Sequence, residues 1–270
     1  MTKGKKKYLY PDEKTPLLEH YSEFDNVFVG LSPFFKLDKE FCDTNSSKKE
    51  ISIEEARKKD EIFKNIGHNS NVTVYTSNEC YPTDEEISRN GKLISWSEIL
   101  KSTELNNFQE LNKALMTSIG AFKRKLKRID LLEILNRHSE KNNLWHPEEG
   151  TFNFLTKVSI HKILKRSKIK TVIVEDEFRE NKQVIDLGDI TEKEFCEKID
   201  FQDFYIYDND KSILFAIGWD FFFFFIAIND NTFSKEEIEK NFEGFWADEK
   251  TTHLWTWEEG EIEKLLNTND

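Results

Sequence analysis

The chain has 270 residues, of which 37% are hydrophobic, 33% charged and 13% aromatic, with a net charge of −12. Ten glycines and five prolines exclude a collagenous or low-complexity chain, and 23 Phe, 7 Tyr and 6 Trp can fill a core that is short of aliphatic residues. The length suits one large or two modest domains. The charge is uneven: residues 111–170 carry 14 Lys and Arg against 5 Asp and Glu, so the rest of the chain holds −21. Attraction between parts of one fold accounts for this without a partner. The rival is a basic surface for nucleic acid or another anion; no helix-turn-helix, zinc-finger or RNA-binding motif supports it, and nucleic acid is not expected.

Three scattered cysteines, Cys42, Cys80 and Cys196, imply no disulfide framework and suit a reducing cytoplasm. The basic N-terminus lacks the apolar run of a signal peptide. Residues 212–228 are apolar, but they are only 17 long with Asp220 near the middle, so no membrane span is expected.

In chain order, residues 1–25 read as an irregular N-terminal arm, with a single α+β domain over 26–270 and a possible subdivision near 141–150. Residues 26–29 predict a short strand, and 42–49 a polar, mobile loop. Ser52 with Glu55 three residues on predicts a helix whose apolar positions include Ile62, Phe63 and Ile66. The alternation over 71–76 predicts a strand. Thr83 with Glu86 and Ser95 with Glu98 predict two short capped helices, and Asn107 opens a longer one. Its stripe of Leu111, Leu115, Ile119, Phe122, Leu126 and Ile129 keeps helical spacing, so one helix is expected to about residue 135, with a break possible at 128–130. Lys123–Arg128 would then form its basic back. Further on, 154–165 predicts a helix, 170–174 and 183–187 a hairpin, and Thr191 a capped helix.

Residues 203–228 are the most apolar stretch and predict a three-stranded antiparallel meander. Its last strand contains Phe221 to Phe225, which do not alternate with polar residues, so both faces must be covered. Ser234 caps another helix, 245–257 is aromatic and irregular, and 258–266 ends the chain as a helix. The fold class is α+β: a helical middle region packed on a mostly antiparallel C-terminal sheet.

The residues Tyr81-Pro82, Glu85-Glu86-Ile87, Gly91, Ser95-Trp96, Glu110-Leu111, Ala114-Leu115 and Thr117-Ser118-Ile119-Gly120-Ala121 resemble those of an uncharacterised family of bacterial proteins found in bacilli. The resemblance spans mainly residues 81–136. It implies a bacterial cytoplasmic protein and brings no activity, ligand or catalytic residue with it.

Asp220 is the sharpest single candidate, because a carboxylate set between Trp219 and Phe221 would be desolvated. An ordinary, exposed turn residue is the plainer reading. Trp246, Asp248, His253 and Trp255 join Trp219 and Asp220 as candidate binding residues, with Asp220 and His253 the acid–base pair if the site were an enzyme's. Asp208-Asn209-Asp210 reads as turn chemistry rather than a cation loop. The six histidines show no metal-ligand spacing, no nucleotide-binding glycine motif occurs, and no metal or cofactor is expected. Cys196 reads as a structural thiol. The favoured function is non-catalytic protein binding of the inhibitor or immunity type. The alternatives are a small-ligand binder or enzyme around Asp220 and the C-terminal aromatic segment, or an anion binder on the basic helix 123–128.

Overall fold

The structure is a computed structural model that describes residues 9–38, 42–59, 63 and 73–267. In chain order the first elements are α1 (Leu17–His20), β1 (Asn26–Leu31), β2 (Phe34–Lys36), β3 (Lys48–Ile51), α2 (Ile53–Lys59), β4 (Val74–Ser77), α3 (Asp84–Asn90), β5 (Lys92–Ile94) and α4 (Trp96–Ser102). The middle holds α5 (Phe108–Ser118), α6 (Ile129–Asn142), β6 (Leu144–Trp145), α7 (Phe154–Arg166), β7 (Thr171–Asp176), β8 (Lys182–Asp186) and α8 (Glu192–Glu197). Last come β9 (Asp203–Asp208), β10 (Ile213–Ile217), β11 (Phe223–Ile228), α9 (Lys235–Asn241), β12 (Gly244–Trp246) and α10 (Glu261–Asn267).

The class is α+β, and its main sheet is antiparallel with strand order β12-β1-β11-β10-β9-β7-β8. The meander β9–β10–β11 stands at its centre. The N-terminal β1 inserts beside β11, so the sheet joins both ends of the chain. The strands β10 and β11 are buried along their whole length. The period of two in a strand divides the phenylalanines between the faces. Phe221, Phe223 and Phe225 meet Tyr10, Tyr21, His253 and Trp255 on one face. On the other, Phe224 packs against Phe152 and Phe242. A non-alternating run is thus what a strand with two covered faces requires. Gly30 pairs with Phe224, and a Cβ there would stand 2.6 Å from the Phe224 ring. The absence of a side chain at Gly30 makes room for that ring.

The capping boxes at Thr83, Ser95, Thr191 and Ser234 all close, each with its Glu at the third helical position, and each is worth about 1 kcal/mol. The Ser52 box also forms, through Glu55. The second half of that helix, including Ile62 and Ile66, lies outside the described residues, as do the first two positions of the strand expected over 71–76.

The long helix expected from Asn107 is broken. α5 ends at Ser118, Gly120 turns the chain with φ +73°, and Arg124–Leu126 form one 3-10 turn before α6 begins. Leu126 is buried while Ile129 is 52% exposed, so the spacing carried past a turn that it could not reveal. The basic run 123–128 is therefore a connector and offers no continuous helical face. Lys127 Nζ lies 3.0 Å from the Tyr75 hydroxyl, and Arg128 pairs with Asp130 at 2.6 Å. Among the described residues no helix is long and apolar enough to cross a membrane.

Candidate functional site

The turn from β10 into β11 organises the site. A Cβ on Gly218 would stand 2.4 Å from the Tyr10 ring, so a glycine here lets the phenol of Tyr10 lie directly on the turn. Asp220 takes a φ of +61°, a conformation that Asp adopts more readily than most residues. The N-terminal segment is fastened over this turn. The Tyr21 hydroxyl donates to the Leu9 carbonyl at 2.7 Å, and the Leu17 amide donates to the Thr251 carbonyl at 2.8 Å.

Between this segment, the β7–β8 turn and the 218–221 turn lies an open cleft of about 1390 Å³. Its floor is aromatic: Tyr10, Phe204, Tyr205, Phe221 and His253. Two further rings on it are largely exposed, Phe178 at 62% and Trp219 at 58%. Carboxylates from Asp12, Glu13, Glu177 and Glu180 also line it. Arg179 is on the same wall, but its Nε donates to the buried Glu175 carboxylate at 2.7 Å. Among the described residues, the charge that lines the cleft is therefore mainly negative. Hydrogen bonds from the Thr15 hydroxyl and the Lys14 and Thr15 amides hold the Asp12 pKa down to about 2, which keeps that charge in place.

His253 closes the floor. It is 7% exposed, with ring centroids of Phe221 at 4.5 Å, Tyr10 at 5.2 Å and Phe223 at 5.9 Å. Burial among these rings pushes its pKa down to about 4, so the imidazole is neutral at pH 7. Burial drives the Tyr10 phenol well above its ordinary value. Among the described residues, neither ring nitrogen of His253 nor the Tyr10 hydroxyl has a hydrogen-bond partner. Each such group costs about 1–3 kcal/mol of stability.

A family model for proteins of unknown function, DUF2711, matches residues 13–257. The chain belongs to that family. The resemblance to an uncharacterised family from bacilli thus holds over nearly the whole chain rather than a fifth of it. The uncharacterised protein YwbB of Bacillus subtilis strain 168 is 24% identical over 249 residues, covering 92% of this chain and 98% of its own. No solved structure matches. The family match takes in the cleft from Glu13 through His253, whereas Tyr10 to Asp12 precede it.

The six residues nominated from sequence are divided by the sheet. Trp219 and His253 line the cleft. Trp246 sits in register with Phe28 on β1 and packs against it on the opposite face, with its indole N–H donated to Glu239. Trp255 is wedged between Phe223 and Phe245, backing the floor without lining it. Asp248 is exposed and spends its carboxylate on Lys250 and Thr251 of its own turn. Asp220 is half-buried and its pKa is raised, first by burial, with Glu149 adding to the rise and Lys48 opposing it. It does not line the cleft, so it is not paired with His253 there.

Asp220 instead borders a second polar cluster that sequence reasoning missed. Residues 42–49, expected as a mobile loop, are instead ordered: Asn45, Ser46 and Ser47 are buried, and Lys48 and Lys49 open β3. The buried Asn78 donates to the carbonyls of Thr44 and Ser46, both at 3.0 Å. Asn45 donates to the Leu144 carbonyl, and Ser47 to the Glu149 carboxylate. Lys48 pairs with the same carboxylate at 2.7 Å, and the Tyr81 hydroxyl donates to the His146 carbonyl at 2.6 Å. Cys42 and Cys80 are disulfide-bonded across this knot, with Cα atoms 6.1 Å apart. The expectation of unpaired cysteines is thereby corrected: partners 38 residues apart leave no local motif, and their pairing removes the argument for a reducing compartment. Cys196 is buried and its thiol is pushed up to about 12, which suits structure rather than nucleophilic chemistry. Glu148, though exposed over much of its surface, has its pKa raised to about 7 by desolvation of the carboxyl and by Glu149 and Asp84. Asp208 accepts the amides of Ser212 and Ile213, as turn chemistry requires. Among the described residues no three His, Cys, Asp or Glu side chains gather as a metal site.

Proposed function

We propose that the protein is a non-catalytic binding protein and that its cleft holds a basic segment of another protein. The carrying observation is the combination of exposed Trp219 and Phe178 with four carboxylates along one open cleft. Exposed aromatic side chains supply contact area at low entropic cost, and complementary charge steers a cationic partner. Size favours a segment over a small molecule: about 1390 Å³ exceeds the ~300–1,000 Å³ usual for small-ligand pockets. A binding role is supported by the pKa values displaced along the cleft. Asp12 at about 2, His253 at about 4, Tyr205 at about 12 and the raised Tyr10 all move away from neutrality, where a general acid or base would operate.

Calorimetric titration with an N-acetylated hexalysine amide tests this reading. Saturable binding that weakens with salt is expected. Trp219→Ala should weaken it more than tenfold, as loss of a binding hot spot does. Glu177→Gln with Glu180→Gln should weaken it several-fold, while Glu133→Gln with Glu140→Gln on α6 should leave it unchanged. Absence of binding, or equal losses from the cleft and α6 pairs, would refute the reading.

A further inference from the structure

We propose that the protein self-associates through the open edge of its main sheet, with β8 pairing antiparallel to β8 of a second copy about a two-fold axis at Val184. The proposal goes beyond the basic-segment reading and uses none of the residues that line the cleft.

β8 ends the main sheet and pairs with β7, and no other strand among the described residues pairs with its outer side. The register fixes which backbone groups face outward. The Leu187 amide donates to the Lys170 carbonyl at 2.7 Å, and the Asp176 amide donates to the Asn181 carbonyl at 3.3 Å. Hydrogen-bonded pairs alternate along an antiparallel ladder, so Gln183 and Ile185 bond inward to Val174 and Val172. Lys182, Val184 and Asp186 therefore turn their N–H and C=O groups outward. All three residues are exposed, Val184 at 62%. The sheet's other edge, β12, is only three residues long and offers a second strand little to pair with.

Three features identify the partner as a second copy. First, the outward residues are their own complement when reversed. Setting Val184 against the partner's Val184 places each Lys182 opposite the partner's Asp186. Second, the parity agrees. Residues that point their bonding groups outward are the ones that form hydrogen-bonded pairs, so this register gives about six backbone hydrogen bonds, two for each pair. Slipping by two residues in either direction would put Val184 opposite a charged residue and forfeit both ion pairs. Third, neither charge is spent within the chain. Among the described residues Lys182 has no ion pair, and the Asp186 carboxylate accepts only the Gly188 amide of its own turn. A lysine on an edge strand ordinarily repels a second strand. In this register it becomes half of an ion pair, which an unrelated strand would not match. The contact is isologous, so it closes at a dimer. It is also small, so the dimer is weak and depends on concentration.

Sedimentation velocity of the full chain from about 1 to about 500 μM, the range that suits weak interfaces, tests the proposal. The mass should rise from monomer towards dimer. Val184→Pro removes an N–H that points outward and leaves the β7–β8 bonds in place. By symmetry it deletes two intermolecular bonds and should weaken the dimer about tenfold. Lys182→Glu and, separately, Asp186→Lys each set like charges opposite one another and should weaken it about tenfold or more. Mixed in equal amounts, those two variants should dimerise again, because the acidic edge of one then meets the basic edge of the other. Their positions are exposed, so they carry the test if Val184→Pro does not fold. A wild-type chain that stays monomeric throughout would overturn the proposal. So would a dimer that the substitutions leave intact, or a mixture of the two charge variants that stays monomeric. None of these results bears on hexalysine binding, which stands or falls with the cleft reading.

Discussion

Two buried polar clusters lie on either side of the 218–221 turn, and they are built on opposite terms. In the knot of residues 42–48, 78–81 and 144–149, the side chains of Asn45, Ser47, Asn78 and Tyr81 all donate to backbone or to a neighbouring carboxylate. At the floor of the cleft, both ring nitrogens of His253 and the Tyr10 hydroxyl have no such partner among the described residues, whereas in the knot His146 Nδ1 lacks one while its Nε2 meets Ser139. A network in which most donors are satisfied specifies structure. Buried groups left unsatisfied reduce stability. The two clusters should therefore respond oppositely to substitution: the knot loses stability and the floor of the cleft keeps or gains it.

The largest effect is expected at the knot. Closing 38 residues of sequence with the Cys42–Cys80 bond restricts the unfolded chain, and chain-entropy arguments value such a loop at about 4 kcal/mol. Reduction with dithiothreitol should lower the unfolding free energy by about that amount in denaturant titration, with hexalysine affinity retained well below the new midpoint. Asn78→Ala comes next. It strips donors from two carbonyls in a buried setting and should cost about 2–4 kcal/mol. A loss below ~0.5 kcal/mol would mean that the knot's bonds hold nothing in place, and the contrast would collapse.

His253→Phe should behave in the opposite way, with stability at pH 7 unchanged or raised by about 1 kcal/mol, since an unsatisfied polar group is replaced by an apolar ring. Its pH dependence sharpens the point. The folded state holds His253 near 4 against an ordinary value of 6.5, so its contribution is fully present above pH 6.5 and is lost as pH falls towards 4. The variant's stability should fall less steeply across that window. A residual slope should remain from His146 in the knot, which burial holds near 3. The smallest effect concerns Glu148. Its folded value near 7 lies above the ordinary 4.5, so its favourable contribution is present below pH 4.5 and is lost as pH rises through 7. Glu148→Gln should match the wild type in thermal melts at pH 4.5 and melt higher at pH 8.

Much of the scaffold is legible in sequence because its signals are local. Capping boxes need four residues, and the meander declares itself by its turns and by phenylalanines that fill two faces. The helix break after Ser118 was hidden because apolar spacing resumed at Leu126 on the far side of the turn. The site was half legible. Trp219 and His253 line one cleft, but nearness in the chain does not keep Asp220, Trp246 and Trp255 with them. Strand alternation then sends Trp246 to the opposite face of the sheet, where it meets Phe28. The contribution of Tyr10 depends on a Gly218 contact across more than two hundred residues, and the knot depends on Asn45, Asn78 and Glu149 meeting from three separate segments. No short window of sequence carries such information.

The most direct test of the cleft as the binding surface is the indole N–H spectrum of the nitrogen-15-labelled protein during titration with hexalysine amide. The chain has six tryptophans, and only Trp219 is exposed in the cleft, while Trp96 and Trp145 are fully buried elsewhere. The account requires the Trp219 resonance to shift saturably, with those of Trp96, Trp145 and Trp246 unmoved. Saturable shifts at Trp246 with Trp219 unchanged would contradict it.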